Sequence, residues 1–168
     1  MTIETKRLIL RRPVPKDAEC YAALCGTEFV MRYNAMSQPD VERIRSRFAK
    51  GDEDMWLLTD RENGEVMGEI VVDEDSLRYG VASRELSYWI GEAYSRKGYM
   101  KEAMQALIAH LFETEKLECV SARCFAPNAA SLALLRSLGF HQDGYIPKCV
   151  KGYQEQIFDD TLHTLFYK

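Results

Sequence analysis

The sequence predicts a single mixed α/β domain in which helices cover both faces of a mainly antiparallel sheet of about seven strands. Three observations lead to that fold class. The chain has 168 residues, the size of one ordinary domain. Segments with strand and helix periodicity follow one another along its whole length. No repeat and no linker rich in glycine, serine or proline divides it, so we expect one domain over residues 1–168.

The first third of the chain predicts one strand followed by two helices. A β-rich run at residues 7–12 ends at two prolines, which can begin a helix but cannot continue one. Apolar residues then recur at helical spacing over residues 18–25. Asp40 is a favoured N-cap residue, and the helix after it directs three apolar side chains inward: Val41, Ile44 and Phe48.

The middle of the chain predicts a hairpin and a further strand. Two apolar runs, residues 55–59 and 66–72, are separated by an Asn-Gly pair that tolerates positive φ and favours a tight turn. The acidic stretch at residues 73–76 is interpreted as a solvated loop, because isolated loop charge usually faces water. Residues 84–90 then form the next strand.

The second half alternates helices and strands. The clearest helix covers residues 98–116, with apolar residues on one face and charged residues on the other. A strand at residues 119–125 and a helix at residues 128–138 follow, and Gly139 ends that helix. Two more strands close the chain: residues 140–145 and residues 157–167.

Charge and composition exclude several function classes. The net charge is −4, and no clustered basic face predicts contact with nucleic acid. No run of about 18 apolar residues and no leader-like start is present, so we expect a cytoplasmic protein with no membrane partner. Five cysteines without a C-x-x-C pair, and three isolated histidines, predict neither a disulfide framework nor a metal site.

The segment after residues 84–90 has the features of an anion-binding turn. A helix that begins near Gly98 offers unpaired N–H groups and the positive end of its dipole. Gly98 lacks a side chain where a pyrophosphate needs close approach to the backbone, and Arg96 and Lys97 add positive charge. The same features also fit an ordinary turn with two exposed basic residues.

Residues 95–103, Ser-Arg-Lys-Gly-Tyr-Met-Lys-Glu-Ala, resemble the acetyl-CoA motif of the GNAT acetyltransferase superfamily. That motif reads Arg or Gln, two variable residues, Gly, one variable residue, then Gly or Ala. Gly98 keeps it, while Ser95 and Met100 depart from it. The resemblance extends to residues 5–11, 85–91, 128–131 and 138–140 and to Asp160. This set is similar to the RimJ/RimL-type branch, which acetylates the N-termini of ribosomal proteins.

The resemblance implies the fold of that family and acetyl-CoA as cosubstrate, with no metal. The fourth and fifth predicted strands, residues 84–90 and 119–125, then splay into a V that holds pantetheine. A backbone N–H of Trp89 or Ile90 stabilises negative charge on the thioester oxygen. The other cofactor contacts come from the turn and from the helix that follows the fifth strand: Ser95, Arg96, Lys97, Gly98, Tyr99, Met100, Asn128 and Ser131.

Three side chains are candidates for proton transfer. Glu85 is the leading general base, because burial at the start of its strand raises a carboxyl pKa; a surface ion pair is the other explanation. Glu69 is the second candidate, as a carboxylate directed into the cleft. Many relatives use a tyrosine as general acid where this chain has Leu135, so the resemblance assigns that role to Ser131. A small polar residue one turn after the N-cap Asn128 is its plain alternative.

The implied function is transfer of an acetyl group from acetyl-CoA to a primary amine, by direct attack. The acceptor is a protein N-terminus or a small-molecule amine. Tyr33, Asn34, Trp56 and Glu69 are candidate walls of the acceptor site, although the first three also fit simple packing. A non-catalytic acyl-CoA-binding or regulatory module is the alternative, because the usual tyrosine and part of the motif are missing. We expect a monomer or a homodimer.

Overall fold

One sheet of eight strands runs through the computed structural model, which describes residues 1–167. The strands are β1 (Thr2–Glu4), β2 (Leu8–Arg11), β3 (Met55–Asp60), β4 (Val66–Glu74), β5 (Ser83–Ile90), β6 (Cys119–Phe125), β7 (His141–Lys151) and β8 (Ile157–Phe166). Their order in the sheet is β1-β2-β3-β4-β5-β6-β8-β7. Every neighbouring pair is antiparallel except β5 with β6, which are parallel.

Five α-helices accompany the sheet. They are α1 (Ala18–Cys25), α2 (Glu28–Met31), α3 (Val41–Lys50), α4 (Tyr99–Thr114) and α5 (Ala129–Ser137). Asp40 and Asn128 cap α3 and α5, because each side chain accepts a backbone N–H from the first turn of its helix. The predicted cap residues and the helices that follow them are therefore confirmed.

Each face of the sheet has its own apolar core. Helices α4 and α5 cover one face, where Leu10, Ile70 and Leu107 are fully buried. Helices α1 and α3 cover the other face, where Phe48 and Leu57 are buried. Two layers of helices around one mostly antiparallel sheet confirm the predicted fold class.

The structure contains two short elements that the sequence pattern does not predict. β1 has three residues and α2 has four, too few to show a period. β1 pairs with β2 at one edge, so the sheet has eight strands where about seven were expected. β7 also continues to Lys151, beyond the predicted end at residue 145, across two register shifts in its pairing with β8.

Residues 73–76 are only in part the solvated loop that their charge predicts: Asp73 and Glu74 end β4 and are exposed like Ser76, but Asp75 is buried. Asp75 is only 4% exposed and accepts hydrogen bonds from Ser121 Oγ at 2.8 Å and from Arg78 Nη1 at 2.6 Å. Burial by itself raises the pKa of Asp75, but these hydrogen bonds outweigh it and lower the pKa. The prediction was wrong for Asp75 because this residue meets a partner on β6, 46 residues away, which local charge does not reveal.

β5 and β6 are neighbours along only part of their length. Their parallel pairing starts at the first residue of each strand and ends at Leu86 with Ala122. Within the described chain, residues 87–90 and 123–125 have no partners across this gap. The two strands therefore part into the predicted V, and its opening positions the site described next.

Candidate active site

The V between β5 and β6 opens into a cleft of about 1000 Å³. Four segments line it: residues 28–34, the end of β5, the turn before α4, and α5 with its cap. Eleven of the residues predicted for the site lie along this cleft: Tyr33, Asn34, Trp89, Ile90, Ser95, Arg96, Gly98, Tyr99, Met100, Asn128 and Ser131. Four predicted residues do not line it: Trp56, Glu69, Glu85 and Lys97.

At one end of the cleft the backbone turns sharply before α4. Arg96 and Gly98 both have positive φ, 59° and 80°. Glycine adopts this conformation readily, but at Arg96 it strains the backbone, a feature that clusters at ligand-binding turns. The first hydrogen bond of the helix joins the Glu102 N–H to the Gly98 carbonyl. The N–H groups of residues 99–101 therefore have no acceptor within the helix. Such a helix end suits an anion.

The departures from the family motif leave these N–H groups in place. Ser95 Oγ donates to the Glu92 carbonyl at 2.8 Å, which holds the turn from within. Met100 is 7% exposed and packs into the core under α4. Lys97 has an exposed side chain, and its charge is outside the cleft lining. The turn therefore presents backbone donors whatever the side chains at these positions.

Three residues, Thr5, Arg7 and Glu102, tie this turn to the start of the chain, and we call them the N-terminal clamp. Glu102 Oε1 accepts from Thr5 Oγ1 at 2.7 Å and from the Arg7 N–H at 2.8 Å, and Oε2 accepts from Arg7 Nε at 2.7 Å. Arg7 Nη1 also donates to the Lys97 carbonyl at 2.9 Å. Burial opposes ionisation of Glu102, but the hydrogen bonds from Thr5 and Arg7 outweigh it and lower the pKa.

The peptide groups of β5 distinguish the two predicted oxyanion donors. The Gly91 N–H donates to the Met67 carbonyl on β4 at 2.8 Å. Because N–H directions alternate along a strand, the Trp89 N–H also points toward β4, where Trp89 pairs with Glu69. The N–H of Ile90 points the other way, toward the gap left by β6. Of the two candidates, Ile90 therefore faces the cleft with its backbone.

A pair of hydroxyls spans the V. The Ser131 N–H donates to Asn128 Oδ1 at 3.2 Å, which fixes the first turn of α5. Ser131 Oγ lies 2.7 Å from Tyr88 Oη, in a hydrogen bond that either oxygen can donate. Leu135, where many relatives have tyrosine, is fully buried in the core. The sequence interpretation missed Tyr88, although strand alternation puts it on the face opposite Trp89.

Glu85 lies on the paired half of β5, before the V opens. It shares a sheet face with Trp89, opposite to Tyr88, because strand side chains alternate. Burial raises the pKa of Glu85, and Arg123 opposes the shift. Three nearby carboxylates add to the rise: Asp75, Asp73 and Asp160. The group has the raised pKa expected of a base, but it does not line the cleft.

Glu69 and Trp56 belong to the core, which corrects their assignment to the acceptor site. Glu69 is 7% exposed; Tyr21 Oη donates to one of its oxygens at 2.8 Å and Trp89 Nε1 to the other at 2.7 Å. Burial raises its pKa, and the two hydrogen bonds oppose that rise. Trp56 is 2% exposed under the Arg12 guanidinium, 3.8 Å from the ring centroid. Both were misplaced because a buried strand with polar residues resembles a cleft wall in sequence.

A smaller pocket of about 400 Å³ adjoins the cleft and shares with it Glu28, Arg32 and Tyr33. Tyr33 meets the rings of Phe125 and Phe158 edge-on, with centroids 6.5 and 6.0 Å away. Tyr33 therefore both packs and lines the surface. Glu28 and Arg32 were not predicted, because the four-residue helix α2 that carries Glu28 has no readable period.

Over residues 1–167, the structure brings together no group of three or more His, Cys, Asp or Glu side chains suited to a metal ion. In the same part of the chain, no helix has both the length and the apolar character needed to cross a membrane. The five cysteines are free thiols.

Comparisons with known proteins agree with this geometry. A sequence model of the acetyltransferase (GNAT) domain matches residues 7–141. The uncharacterized N-acetyltransferase YnaD from Bacillus subtilis (strain 168) is 27% identical over 161 residues, covering 89% of this chain and 88% of YnaD.

Two solved structures share the fold. The ribosomal-protein-S5-alanine acetyltransferase from Vibrio fischeri has a TM-score of 0.85 at 16% identity, over 99% of this chain and 96% of that one. RimL, a ribosomal L7/L12 alpha-N-protein acetyltransferase in complex with coenzyme A, has a TM-score of 0.82 at 17% identity, over 99% and 98%. This chain therefore belongs to the GNAT acetyltransferase family and is an enzyme that transfers acetyl groups.

Proposed function

We propose that this enzyme transfers the acetyl group of acetyl-CoA to a primary amine by direct attack of the amine nitrogen on the thioester. The observation that carries the proposal is the layout of the cleft. The N-terminus of α4 presents backbone N–H groups at one end of the cleft. The unpaired ends of β5 and β6 lie in the middle, and Ser131 lies on the opposite wall. Holding both reactants in one cleft removes the need for a covalent enzyme intermediate.

The residues present fit acetyl-CoA along its length. The N–H groups of residues 99–101 suit the pyrophosphate, and Arg96 adds positive charge beside them. The peptide groups of Tyr88 and Ile90 face the gap between β5 and β6 and offer the strand-like hydrogen bonds that an extended pantetheine can accept and donate. A cleft of about 1000 Å³ has the size of a large ligand site.

Three groups of the chain have separate tasks in the transfer: the Ile90 N–H, the Ser131 hydroxyl and the Glu85 carboxylate. Acetyl-CoA supplies the acetyl group and a thiolate that leaves. The Ile90 N–H donates to the thioester oxygen as negative charge develops on it. Ser131 gives its proton to the departing sulfur. It then takes up the proton that the amine nitrogen loses after attack, so that protons balance over the cycle.

Glu85 is proposed as the general base, acting through water. Its raised pKa brings its basicity closer to neutral pH, where it can accept a proton from the ammonium form of the acceptor. It lies on the face of β5 opposite Tyr88, so the acceptor approaches from one side of the sheet while Ser131 and Tyr88 act from the other.

The acceptor is proposed to be a protein N-terminus, with a small-molecule amine as the other class. Two structural neighbours carry names that specify ribosomal proteins as their substrates, which supports the first. The smaller pocket offers aromatic and amide surface beside the cleft, from Tyr33, Phe158, Gln154 and Gln156. That surface suits the side chain and peptide groups next to a terminal amine.

The test is amine-dependent release of CoA thiol. The protein is incubated with acetyl-CoA and a panel of peptides with free N-termini and of small amines, and acetylated product is identified by mass spectrometry. Thermal shifts with acetyl-CoA, CoA and ATP run in parallel; we expect the first two to stabilise the protein. Binding without thiol release on any amine would instead favour a non-catalytic acyl-CoA-binding module, and no binding would contradict both.

A further inference from the structure

We propose that Tyr88 is a positioning residue that holds and polarises the Ser131 hydroxyl during acetyl transfer. The proposal rests on the function proposed above for Ser131 and extends it to a residue on the opposite arm of the V.

The hydrogen bond between the two side chains bridges the site. Tyr88 Oη and Ser131 Oγ are 2.7 Å apart, within the normal range for two hydroxyls. Tyr88 comes from β5, and Ser131 comes from α5, which follows β6. Both side chains are partly buried, and both line the cleft. A side chain from one arm of the V therefore holds the hydroxyl that the other arm contributes.

This arrangement occupies the place left by the missing tyrosine acid. Leu135 is buried in the core, and its side chain has no hydrogen-bond donor. Four tyrosines line the cleft, and among the described hydrogen bonds Tyr88 is the one that contacts Ser131. The chain thus keeps a tyrosine hydroxyl beside the sulfur end, but on a different secondary-structure element.

The protonation states allow donation from Tyr88 to Ser131. Burial raises the pKa of the Tyr88 hydroxyl, and its hydrogen bond with Ser131 offsets the rise only in part. Tyr88 therefore keeps its proton at neutral pH and has an O–H to donate. Cys124 is the other titratable group beside the pair, and burial raises its pKa to about 11, so it also stays neutral. When Tyr88 donates, the Ser131 hydrogen is available to another acceptor, and Cys124 beside it or the departing sulfur can take that place.

The consequence for the reaction is electrostatic. When Ser131 gives its proton to the departing sulfur, negative charge builds on Ser131 Oγ. The Tyr88 O–H bond to that oxygen then becomes charge-assisted and strengthens. Tyr88 releases no proton, so the overall balance stays between the amine nitrogen, which loses a proton, and the sulfur, which gains one.

Kinetics of three variants test whether the pair acts as a unit. We expect Ser131→Ala to lower kcat by about 100-fold and Tyr88→Phe by about 10-fold, both with the KM for acetyl-CoA unchanged. The double variant is expected to lose about 100-fold, no more than Ser131→Ala alone, because Tyr88 acts through Ser131. Tyr145→Phe is the matched control, since it removes an exposed tyrosine hydroxyl on β7 that bonds Asp159 on β8.

Three kinetic outcomes would overturn the proposal. The first is a double variant that loses the product of the single effects, about 1000-fold, which would make the two residues independent. The second is a Tyr88→Phe enzyme within about two-fold of the parent kcat, less than a typical hydrogen bond is worth. The third is a loss confined to KM, which would make Tyr88 a binding residue.

A second measurement separates this proposal from the proposed function. With CoA bound, a Ser131 O–H donated to sulfur lowers the pKa of the thiol, and thiolate absorbance reports that pKa against desulfo-CoA as the blank. We expect a lower thiol pKa in the parent protein than in Tyr88→Phe, and equal values in Ser131→Ala and the double variant. Four equal values would overturn the role of Tyr88 even in an active enzyme. If the thiol pKa values follow the expected order but the protein acetylates no amine, the role of Tyr88 is supported and the proposed function is contradicted. Failure to bind CoA would overturn both.

Discussion

The two ends of the cleft present different chemical groups: backbone N–H groups at one end and side-chain hydroxyls at the other. At the turn before α4, which we propose binds the pyrophosphate, the groups available to a ligand are backbone N–H donors, organised by the positive φ of Gly98 and held by the N-terminal clamp. At the end where we propose the sulfur lies, the groups are side chains, Ser131 and Tyr88, which meet from two different elements. A site made of backbone tolerates sequence change, whereas a site made of side chains does not.

This difference explains the departures from the family motif. Ser95 and Met100 replace motif residues at the backbone end, where their side chains bond the local backbone or enter the core. At the side-chain end Leu135 stands where many relatives have tyrosine, and in the proposed mechanism the Ser131 hydroxyl does the work of that tyrosine. We therefore expect substitutions at the turn to change binding and substitutions at the other end to change the chemical step.

Glu85→Gln gives the largest expected effect, on the chemical step. We expect kcat at neutral pH to fall by about 100-fold, because the amide cannot accept a proton. The difference in kcat between the parent and Glu85→Gln becomes smaller as the pH rises, since more of the acceptor amine is then already neutral. Glu74→Gln, which changes an exposed carboxylate on β4, is the control. A pH–rate profile of unchanged shape in Glu85→Gln would remove Glu85 from the base role.

Gly98→Ala comes next and acts on binding. A side chain at φ 80° costs about 1–2 kcal/mol, so we expect the Kd for acetyl-CoA to rise about 10-fold with kcat kept. Gly80→Ala is a matched control, because Gly80 also has positive φ, 72°, and lies in a loop outside the cleft. Calorimetric titration measures both. Equal losses of affinity in the two variants would mean that Gly98 acts only through general stability.

Glu102→Gln tests the clamp and has a smaller effect. Weaker bonds to Thr5 and Arg7 loosen the turn, and we expect the KM for acetyl-CoA to rise about 3-fold, a loss of about 0.7 kcal/mol. The lowered pKa of Glu102 adds stability above its ordinary value of 4.5, which is lost as the pH falls through the folded-state pKa. The unfolding free energy of the parent should therefore fall more steeply with decreasing pH than that of Glu102→Gln, and the two should converge at low pH. Glu113→Gln, exposed on the same helix, should leave both measurements unchanged.

Glu69→Gln has the smallest expected effect and none on the chemical step. Because the folded-state pKa of Glu69 is raised, the parent protein loses stability as the pH rises from 4.5 toward that pKa, and the amide removes this loss. We expect a flatter curve of unfolding free energy against pH, with kcat kept. Glu69→Leu should be destabilised by about 2 kcal/mol at every pH, because it strands the Tyr21 and Trp89 donors. A large fall in kcat for Glu69→Gln would return Glu69 to the site.

The features that the sequence predicted well are local ones. The hairpin of β3 and β4, the helix α4, and the caps Asp40 and Asn128 follow from residues that are neighbours in the chain. The turn before α4 is also local, since Gly98 both shapes it and begins the helix. The V was predicted from the family resemblance, and the pairing of β5 with β6 confirms it.

The features that the sequence did not reveal depend on contacts between distant residues. Arg7 and Glu102 are 95 residues apart, and Tyr88 and Ser131 are 43 apart, so no local pattern links them. Glu69 was assigned to the cleft because its strand gave no sign that Tyr21, 48 residues earlier, would occupy its carboxylate. A carboxylate that serves the core and one that serves a reaction have the same residue type and the same strand context.

The most direct test compares steady-state kinetics of Gly98→Ala and Ser131→Ala on the same amine. We predict that Gly98→Ala raises the KM for acetyl-CoA about 10-fold with kcat within two-fold of the parent, and that Ser131→Ala lowers kcat about 100-fold with that KM kept. Two variants that change the same parameter would contradict the division of the cleft into a backbone end that binds and a side-chain end that reacts.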